Sequence, residues 1–458
     1  LPQSCTERTL LARLISLGGR VEWNTRLVGV EQLGGRDDAD GKARVHLQHA
    51  DGSEELVSCN WLIGADGSRS AVRELAGIDF PGGDYGKSFI LGDVKVDWAG
   101  PKHELQFFLS RHGYLLLVPM PGGLHRIIAQ TGKKFDDFQG DEKPKATLAE
   151  LQAIVDRQGP GNMRVHSPEW LTCAPFYHRR AETCLKGRTI LVGDAFHLFS
   201  PLGAQGLNTG FQDAFNLAWK LAYVEKGWAP VDLIDSYRDE REAIARLIAT
   251  ITSKTTDYIT ATAWHRRLMR RLMTRWFNPT AKVQEQLPRL LAGLMQTYDG
   301  AEAAVKGVPQ AGARVPHAWV PDGLGYKPLA SLIHGTHYTL MLVTNRLDDT
   351  MLRQLQAVGS QLLLQLPYLR VKLVTREVDA IEALIPKGID LIEDRLSSVF
   401  EAFDVTEQAL VLVRPDGFAA LSAREWSLDA VSRYFSNARF STFPVNTIRH
   451  EELICHEA

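Results

Sequence analysis

The sequence has 458 residues, too many for one compact core, so two or three domains are expected. Apolar residues make up 45% and charged residues 23%, an ordinary globular balance, and the formal net charge of −2 gives no electrostatic reason to expect nucleic acid as a partner. No apolar run approaches the roughly 18–20 residues of a transmembrane helix, and Leu1 to Arg8 lack the basic and apolar regions of a signal peptide. The cysteines (Cys5, Cys59, Cys173, Cys184, Cys455) form no CxxC and stand at no metal-ligand spacing from histidine, which points to a reducing, cytoplasmic setting without a metal.

In chain order, Leu10, Leu11, Leu14, Ile15 and Leu17 repeat at helical spacing and Gly18-Gly19 ends the pattern. Val21 to Val30 reads as a strand, and Arg44–His49, Asp51-Gly52 and Glu55–Ile63 read as a hairpin. From Pro81 to Arg180, short apolar runs (Phe89–Val96, Leu105–Leu109, Tyr114–Met120, Arg126–Gln130) separated by Gly and Pro turns predict an inserted antiparallel sheet. Arg188–Val192 is a further strand, followed by a helix over Gly206–Tyr223 and helical sequence over Asp232–Asp299. Beyond a Gly/Pro-rich link at Gly307–Pro321, Thr339–Thr344, Val371–Thr375, Ala409–Val413 and Phe418–Leu421 predict strands mixed with helices, with a turn at Arg414-Pro415-Asp416-Gly417. The expected division is 1–80, 81–180, 181–300 and 301–458.

Two stretches carry chemistry. Gly193-Asp194-Ala195-Phe196-His197 directly follows a strand, where an α/β sheet meets its ligand and an Asp can accept hydrogen bonds from sugar-like hydroxyls. The loop Ser200 to Gly210 then runs into a helix whose first N–H groups suit an electron-rich edge. Upstream, Gly64-Ala65-Asp66-Gly67-Ser68-Arg69-Ser70-Ala71-Val72-Arg73 again puts an acid and a glycine at a strand end. A bland strand-turn-helix or Asp-Gly turn would account for either stretch alone.

Together they resemble the flavoprotein aromatic hydroxylases. Gly64 to Arg73 is similar to that family's DG motif, which contacts FAD and the path of NAD(P)H. Gly187 to Ala222 is similar to its GD motif, whose Asp binds the ribityl or ribose region of the flavin. Ser236-Tyr237-Arg238-Asp239-Glu240-Arg241 resembles the Tyr-x-x-Glu-Arg segment that follows. The resemblance implies cofactor-binding roles for Asp66, Gly67, Arg73, Gly193, Asp194, Pro201, Gly203, Gln205, Gly206, Leu207 and Asn208. It implies an α/β fold: a Rossmann-like FAD-binding core with an inserted antiparallel substrate sheet. The region from Pro316 onward is similar to the thioredoxin-like C-terminal domain of the phenol-hydroxylase branch, here without a redox CxxC.

The implied reaction is hydroxylation of a phenolic or polycyclic aromatic ring by NAD(P)H and O2 through a flavin C4a-hydroperoxide. The alternatives are a flavoprotein that oxidises or reduces without inserting oxygen, and a flavin-free remnant acting as a binding subunit. No catalytic base is identified; His178, Tyr177 and His197 are candidates whose packing or loop-ordering roles are favoured. Trp264 to Trp276 alternates basic and apolar residues, as a packed amphipathic helix, a membrane-surface helix or a homodimer contact would.

The family opens with a GxGxxG loop whose helix holds the FAD diphosphate, and this chain contains no such spacing. Gly159-Pro160-Gly161 and Gly323-Leu324-Gly325 lack the third glycine. The first residue is Leu rather than Met, and Leu1 to Leu11 resembles a family segment that lies well inside the chain. The expected reading is a first βαβ unit upstream of Leu1, because a naturally shorter protein would expose a sheet edge and apolar helix faces.

Overall fold

A computed structural model describes residues 3–32, 41–132, 146–201, 205–259, 293, 296–298, 307–322, 325–376, 378 and 382–436. The chain forms two compact units, residues 1–210 with 245–285 and residues 211–244 with 286–458.

The first unit opens with helix α1 (Gln3–Ser16), none of whose residues is buried. Strands β1 (Arg26–Gln32), β2 (Ala43–Gln48) and β3 (Glu54–Cys59) form an antiparallel meander. The strand expected from Val21 begins late, because Asn24 takes a left-handed turn conformation (φ 58°) that a strand cannot continue through. The apolar run Glu55–Ile63 is two strands rather than one. It breaks at Asn60-Trp61, and β4 (Leu62–Gly64) leaves the meander for a different sheet.

Short helix α2 (Ala71–Leu75) follows, then β5 (Gly82–Asp97), β6 (Gln106–Ser110), β7 (Gly113–Pro119), β8 (Leu124–Gln130), helix α3 (Leu148–Gln158) and β9 (Arg164–Arg180). After them come β10 (Leu185–Lys186), β11 (Thr189–Leu191) and β12 (His197–Leu198). The order β12-β9-β5-β8-β7-β6 makes the expected antiparallel sheet. Alternation along β5 sends Ile90 and Val94 to one face, where α3 covers them with Leu151, Ile154 and Val155. Phe89 points to the other, stacking on Phe176 at 3.9 Å and meeting Tyr114. On that same face Asp93 accepts both arms of Arg126 (2.8 and 2.9 Å) and the indole N–H of Trp170 (2.7 Å). Sequence reading assigned no helix at α3, although Thr147 and Glu150 form a complete capping box there.

Helix α4 runs Gly206–Glu225 and α5 Leu233–Ile259. The second unit holds the hairpin β13 (Trp319–Asp322) and β14 (Gly325–Pro328). It also holds a five-stranded sheet ordered β17-β16-β15-β18-β19: Ile389–Glu393, Leu369–Thr375, Tyr338–Thr344, Gln408–Val413 and Ala419–Ala423. β15 runs parallel to β16 and antiparallel to β18, and β18 turns back into β19, the thioredoxin-like pattern expected for this region. Every residue of β15 is buried: Tyr338, Leu340 and Leu342 pack with Trp219 and Tyr223 of α4, Met341 and Val343 with Phe400 and Phe403.

A buried ionic cluster joins α4, α5 and the turn after β18. Glu240 accepts from Arg414 (2.6 and 2.9 Å), Lys220 (2.9 Å) and Asn216 (2.7 Å). Arg414 also reaches Asp416 at 2.6 Å, while Arg241 pairs with Asp213 at 2.7 Å and donates to the Tyr298 hydroxyl at 3.1 Å. Asp213, Asn216 and Lys220 share one face of α4 by helical spacing, so the segment resembling Tyr-x-x-Glu-Arg supplies buried charge partners to that face.

Candidate functional site

β4 and β11 lie side by side and parallel, with Leu62, Ile63 and Gly64 opposite Thr189, Ile190 and Leu191. Their carboxyl ends therefore stand level, and the two chemistry-bearing loops leave the sheet together. The N–H of Val192 extends the ladder to the Gly64 carbonyl at 3.0 Å. Gly64 is required by packing: a Cβ there would sit 2.8 Å from Leu191 Cδ2 and 2.9 Å from Val72 Cβ.

In the first loop Asp66 is exposed, and its Oδ2 accepts from the Val72 N–H at 3.1 Å as α2 begins. Ser70 caps the same helix by accepting from the Arg73 N–H at 3.0 Å. Gly67 adopts φ 82° with no atom within 4 Å of where a Cβ would be. Arg73 turns inward, only 5% exposed. Its Nη1 donates to the Ala195 carbonyl and its Nη2 to the Ser68 carbonyl, both at 3.0 Å, with the guanidinium 3.9 Å from the Phe80 ring centroid. Burial lowers its pKa, against the pull of Glu74 and Asp66. The guanidinium is thus committed to backbone carbonyls of both loops.

In the second loop Gly193 is left-handed (φ 58°) and starts a tight turn. Asp194 reaches the surface, yet the protein around its carboxyl removes enough water to raise its pKa, with His197 acting in the opposite sense. His197 is 1% exposed and stacks on Phe199 at 4.5 Å, a packed setting for a residue considered as a base. Pro201 is half-buried; Gly203 lies outside the described residues. Gln205 is buried, and its carbonyl accepts from the Thr209 N–H at 2.8 Å as α4 begins. Gly206 has open space beside it, Leu207 is exposed and Asn208 half-buried.

One residue that sequence reading did not single out belongs here: Gly210, whose backbone packs on Gly193. The other proposed base candidates lie on β9. The His178 ring packs against Tyr85 at 4.9 Å, and Tyr177 lies beneath the Arg179 guanidinium at 5.3 Å. The segment Trp264 to Trp276 lies outside the described residues. Among the described residues no helix is long and apolar enough to cross a membrane, and no cluster of three His, Cys, Asp or Glu could hold a metal.

These groups suit a flavin. Two exposed carboxylates can accept hydrogen bonds from hydroxyls, and the N-terminus of α4 carries the positive end of the helix dipole. At Gly67 and Gly206 bare backbone faces space that a side chain would fill. The paired loops leave the carboxyl ends of two parallel strands, the position at which an α/β sheet meets its ligand.

A family model described as FAD binding domain matches residues 1–252. A flavin-dependent monooxygenase of Mycobacteroides abscessus is 33% identical over 353 residues, 74% of this chain and 66% of the relative. A dialkyldecalin synthase of Streptomyces rugosporus is 39% identical over 261 residues, 56% of this chain and 53% of the relative. Among solved structures, the anhydrotetracycline hydroxylase OxyS from Streptomyces rimosus superposes with a TM-score of 0.65 at 26% identity, covering 96% of this chain and 80% of that one. The chain belongs to the FAD-dependent aromatic hydroxylase family. It spans 66% and 53% of the length of the two curated relatives described here.

Proposed function

We infer that this chain is part of an FAD-dependent monooxygenase that hydroxylates a phenolic or polycyclic aromatic substrate using NAD(P)H and O2. The observation that carries this reading is the level pairing of the Asp66 and Asp194 loops at the ends of β4 and β11. In it, Asp194 accepts hydrogen bonds from the ribityl or ribose hydroxyls, and the Asp66-Gly67 backbone lies along the cofactor. N–H groups of Gly206, Leu207 and Asn208 face the electron-rich edge of the ring system, with Gly193, Pro201, Gly203 and Gln205 shaping the loop around it. Arg73 keeps the two loops in register. Bound FAD supplies the electron transfer and oxygen activation. The long antiparallel sheet positions the aromatic ring and excludes water. No side chain is assigned as base.

The test is a titration of the purified full-length protein with FAD, followed by turnover with candidate phenols and polycyclic aromatics. Bands near ~370 and ~450 nm that stay with the protein through gel filtration, and a product containing one oxygen atom from O2, are expected. A protein that never retains flavin would sink the reading. A second reading, a flavoprotein that inserts no oxygen, is favoured by the dialkyldecalin synthase relative. It predicts retained flavin with a product isomeric to, or redox-related to, the substrate, and no oxygen incorporation.

A further inference from the structure

The two residues flanking Asp194 are each pinned from a different element. On one side Gly193 packs backbone to backbone against Gly210 in α4: a Cβ built on Gly210 falls 3.3 Å from the Gly193 Cα, and one built on Gly193 falls 3.8 Å from the Gly210 Cα. On the other side the Ala195 carbonyl accepts the Arg73 guanidinium at 3.0 Å, and that guanidinium is itself fixed by Ser68 and by the Phe80 ring. Asp194 itself remains exposed between these two fixed points.

We propose that Gly210 and Arg73 are positioning residues that set where the Asp194 carboxylate stands relative to the first turn of α4 and the Asp66 loop. The proposal rests on the flavin reading of the site. Neither residue is assigned contact with the cofactor: Gly210 has no side chain, and Arg73 is spent on backbone carbonyls. The helix must come close enough for its first-turn N–H groups and Asp194 to serve one ligand, and a bare Cα at residue 210 permits that approach. An alanine there would meet backbone rather than a movable side-chain tip, so loop and helix must part by a few tenths of an ångström. A hydrogen bond to the cofactor stretched by this much loses most of its net contribution, which weakens binding by about threefold to tenfold.

Gly210→Ala separates positioning from general packing because the intrinsic effect runs the other way. Alanine is the better helix former, and Gly210 lies within α4, so helix propensity alone would leave the thermal midpoint level or raise it. The experiment compares wild type, Gly210→Ala and Arg73→Lys in the full-length protein. It measures FAD affinity by fluorescence titration, the visible circular dichroism of the bound flavin, and the melting temperature of the apoprotein.

The expected result is FAD binding about threefold to tenfold weaker, with an altered visible dichroism, in Gly210→Ala while its apoprotein melts no lower than wild type. Arg73→Lys keeps the charge but cannot span both carbonyls, and it is expected to shift the dichroism in the same way. Unchanged affinity and dichroism in Gly210→Ala would overturn the proposal and leave the site reading intact. A lower apoprotein melting temperature in Gly210→Ala would make the contact one of general packing and overturn it too. Absence of flavin binding in wild type would remove the site reading, and this proposal with it.

Discussion

Arg414 holds Glu240 with both terminal nitrogens, at 2.6 and 2.9 Å, across 174 residues of sequence. Both side chains are nearly fully buried, and Arg414 shares its second arm with Asp416. Such a pair adds little when whole but costs heavily when halved, because the remaining partner is a buried charge without its counterion. Arg414→Met is therefore expected to lower unfolding free energy by about 3–5 kcal/mol. Urea denaturation followed by tryptophan fluorescence reads this directly; a loss below 1 kcal/mol would show that the cluster rearranges without Arg414.

Lys220 gives the same cluster a pH signature. Burial pulls its pKa from an ordinary 10.5 down to about 8, with Glu240 resisting. Between those values the unfolded chain holds a proton that the folded one has released, so the Lys220 contribution to stability rises with pH across that window. Below about 8 both states are protonated and the contribution is flat. Lys220→Met is expected to remove this alkaline rise from a stability–pH profile, and an identical slope in the variant would refute the assignment.

Asp394 is a buried carboxylate that accepts three consecutive backbone N–H groups, from Ser398, Val399 and Phe400, at 2.8, 2.9 and 3.1 Å. Burial raises its pKa and these three donors hold it down. Asp394→Ala removes the acceptor from the start of the helix Ser398–Phe403 and is expected to cost about 2 kcal/mol. Chemical denaturation checks this, and Asp394→Asn should recover part of the loss.

At the site itself, Gly64→Ala would drive a methyl group into Leu191 and Val72. Overpacking of that kind costs about 1–3 kcal/mol. Because Gly64 precedes Asp66, flavin retention should fall alongside the melting temperature. A variant with lowered stability but wild-type FAD affinity would separate the strand end from the cofactor site.

Asp194→Ala tests the assigned acceptor. Loss of a charge-assisted hydrogen bond is worth about 1.5–3 kcal/mol, so FAD affinity should drop by about 10- to 150-fold. Asp194 is exposed, so the fold should melt near the wild-type temperature. Equal FAD affinity in this variant would exclude Asp194 as a ligand.

Much of this architecture is legible in the sequence because it is written in local signals. The α4 start at Gly206, the inserted antiparallel strands and the Arg414–Gly417 turn each follow from periodicity or turn chemistry. The break between β3 and β4 does not, because an apolar run looks the same whether or not it changes partner sheets. Helix α3 carried a readable capping box at Thr147 and Glu150 within a stretch dominated by strand patterns. At the site, Asp66 and Asp194 announce themselves by strand-end position. Gly210 does not, since its role exists only in its contact with Gly193. The ionic cluster is the least legible: Asp213 and Lys220 fall in the GD-like stretch, Glu240 in the Tyr-x-x-Glu-Arg-like segment and Arg414 in a turn, and nothing local shows that these meet, because their burial depends on partners far along the chain.

That separation has a consequence for synthesis. Trp219 and Tyr223 on α4 pack against β15, and Glu240 awaits Arg414. At translation rates of about 5–20 residues per second, the ribosome needs roughly 9–35 s to produce the intervening chain. Throughout that interval Asn216 and Lys220 of α4 and Glu240 of α5 lack the Arg414 that completes their cluster, while the aromatic face of α4 waits a shorter time, until β15 emerges. The nascent chain must hold this helix in a soluble, unfinished state until the last strands of the five-stranded sheet emerge.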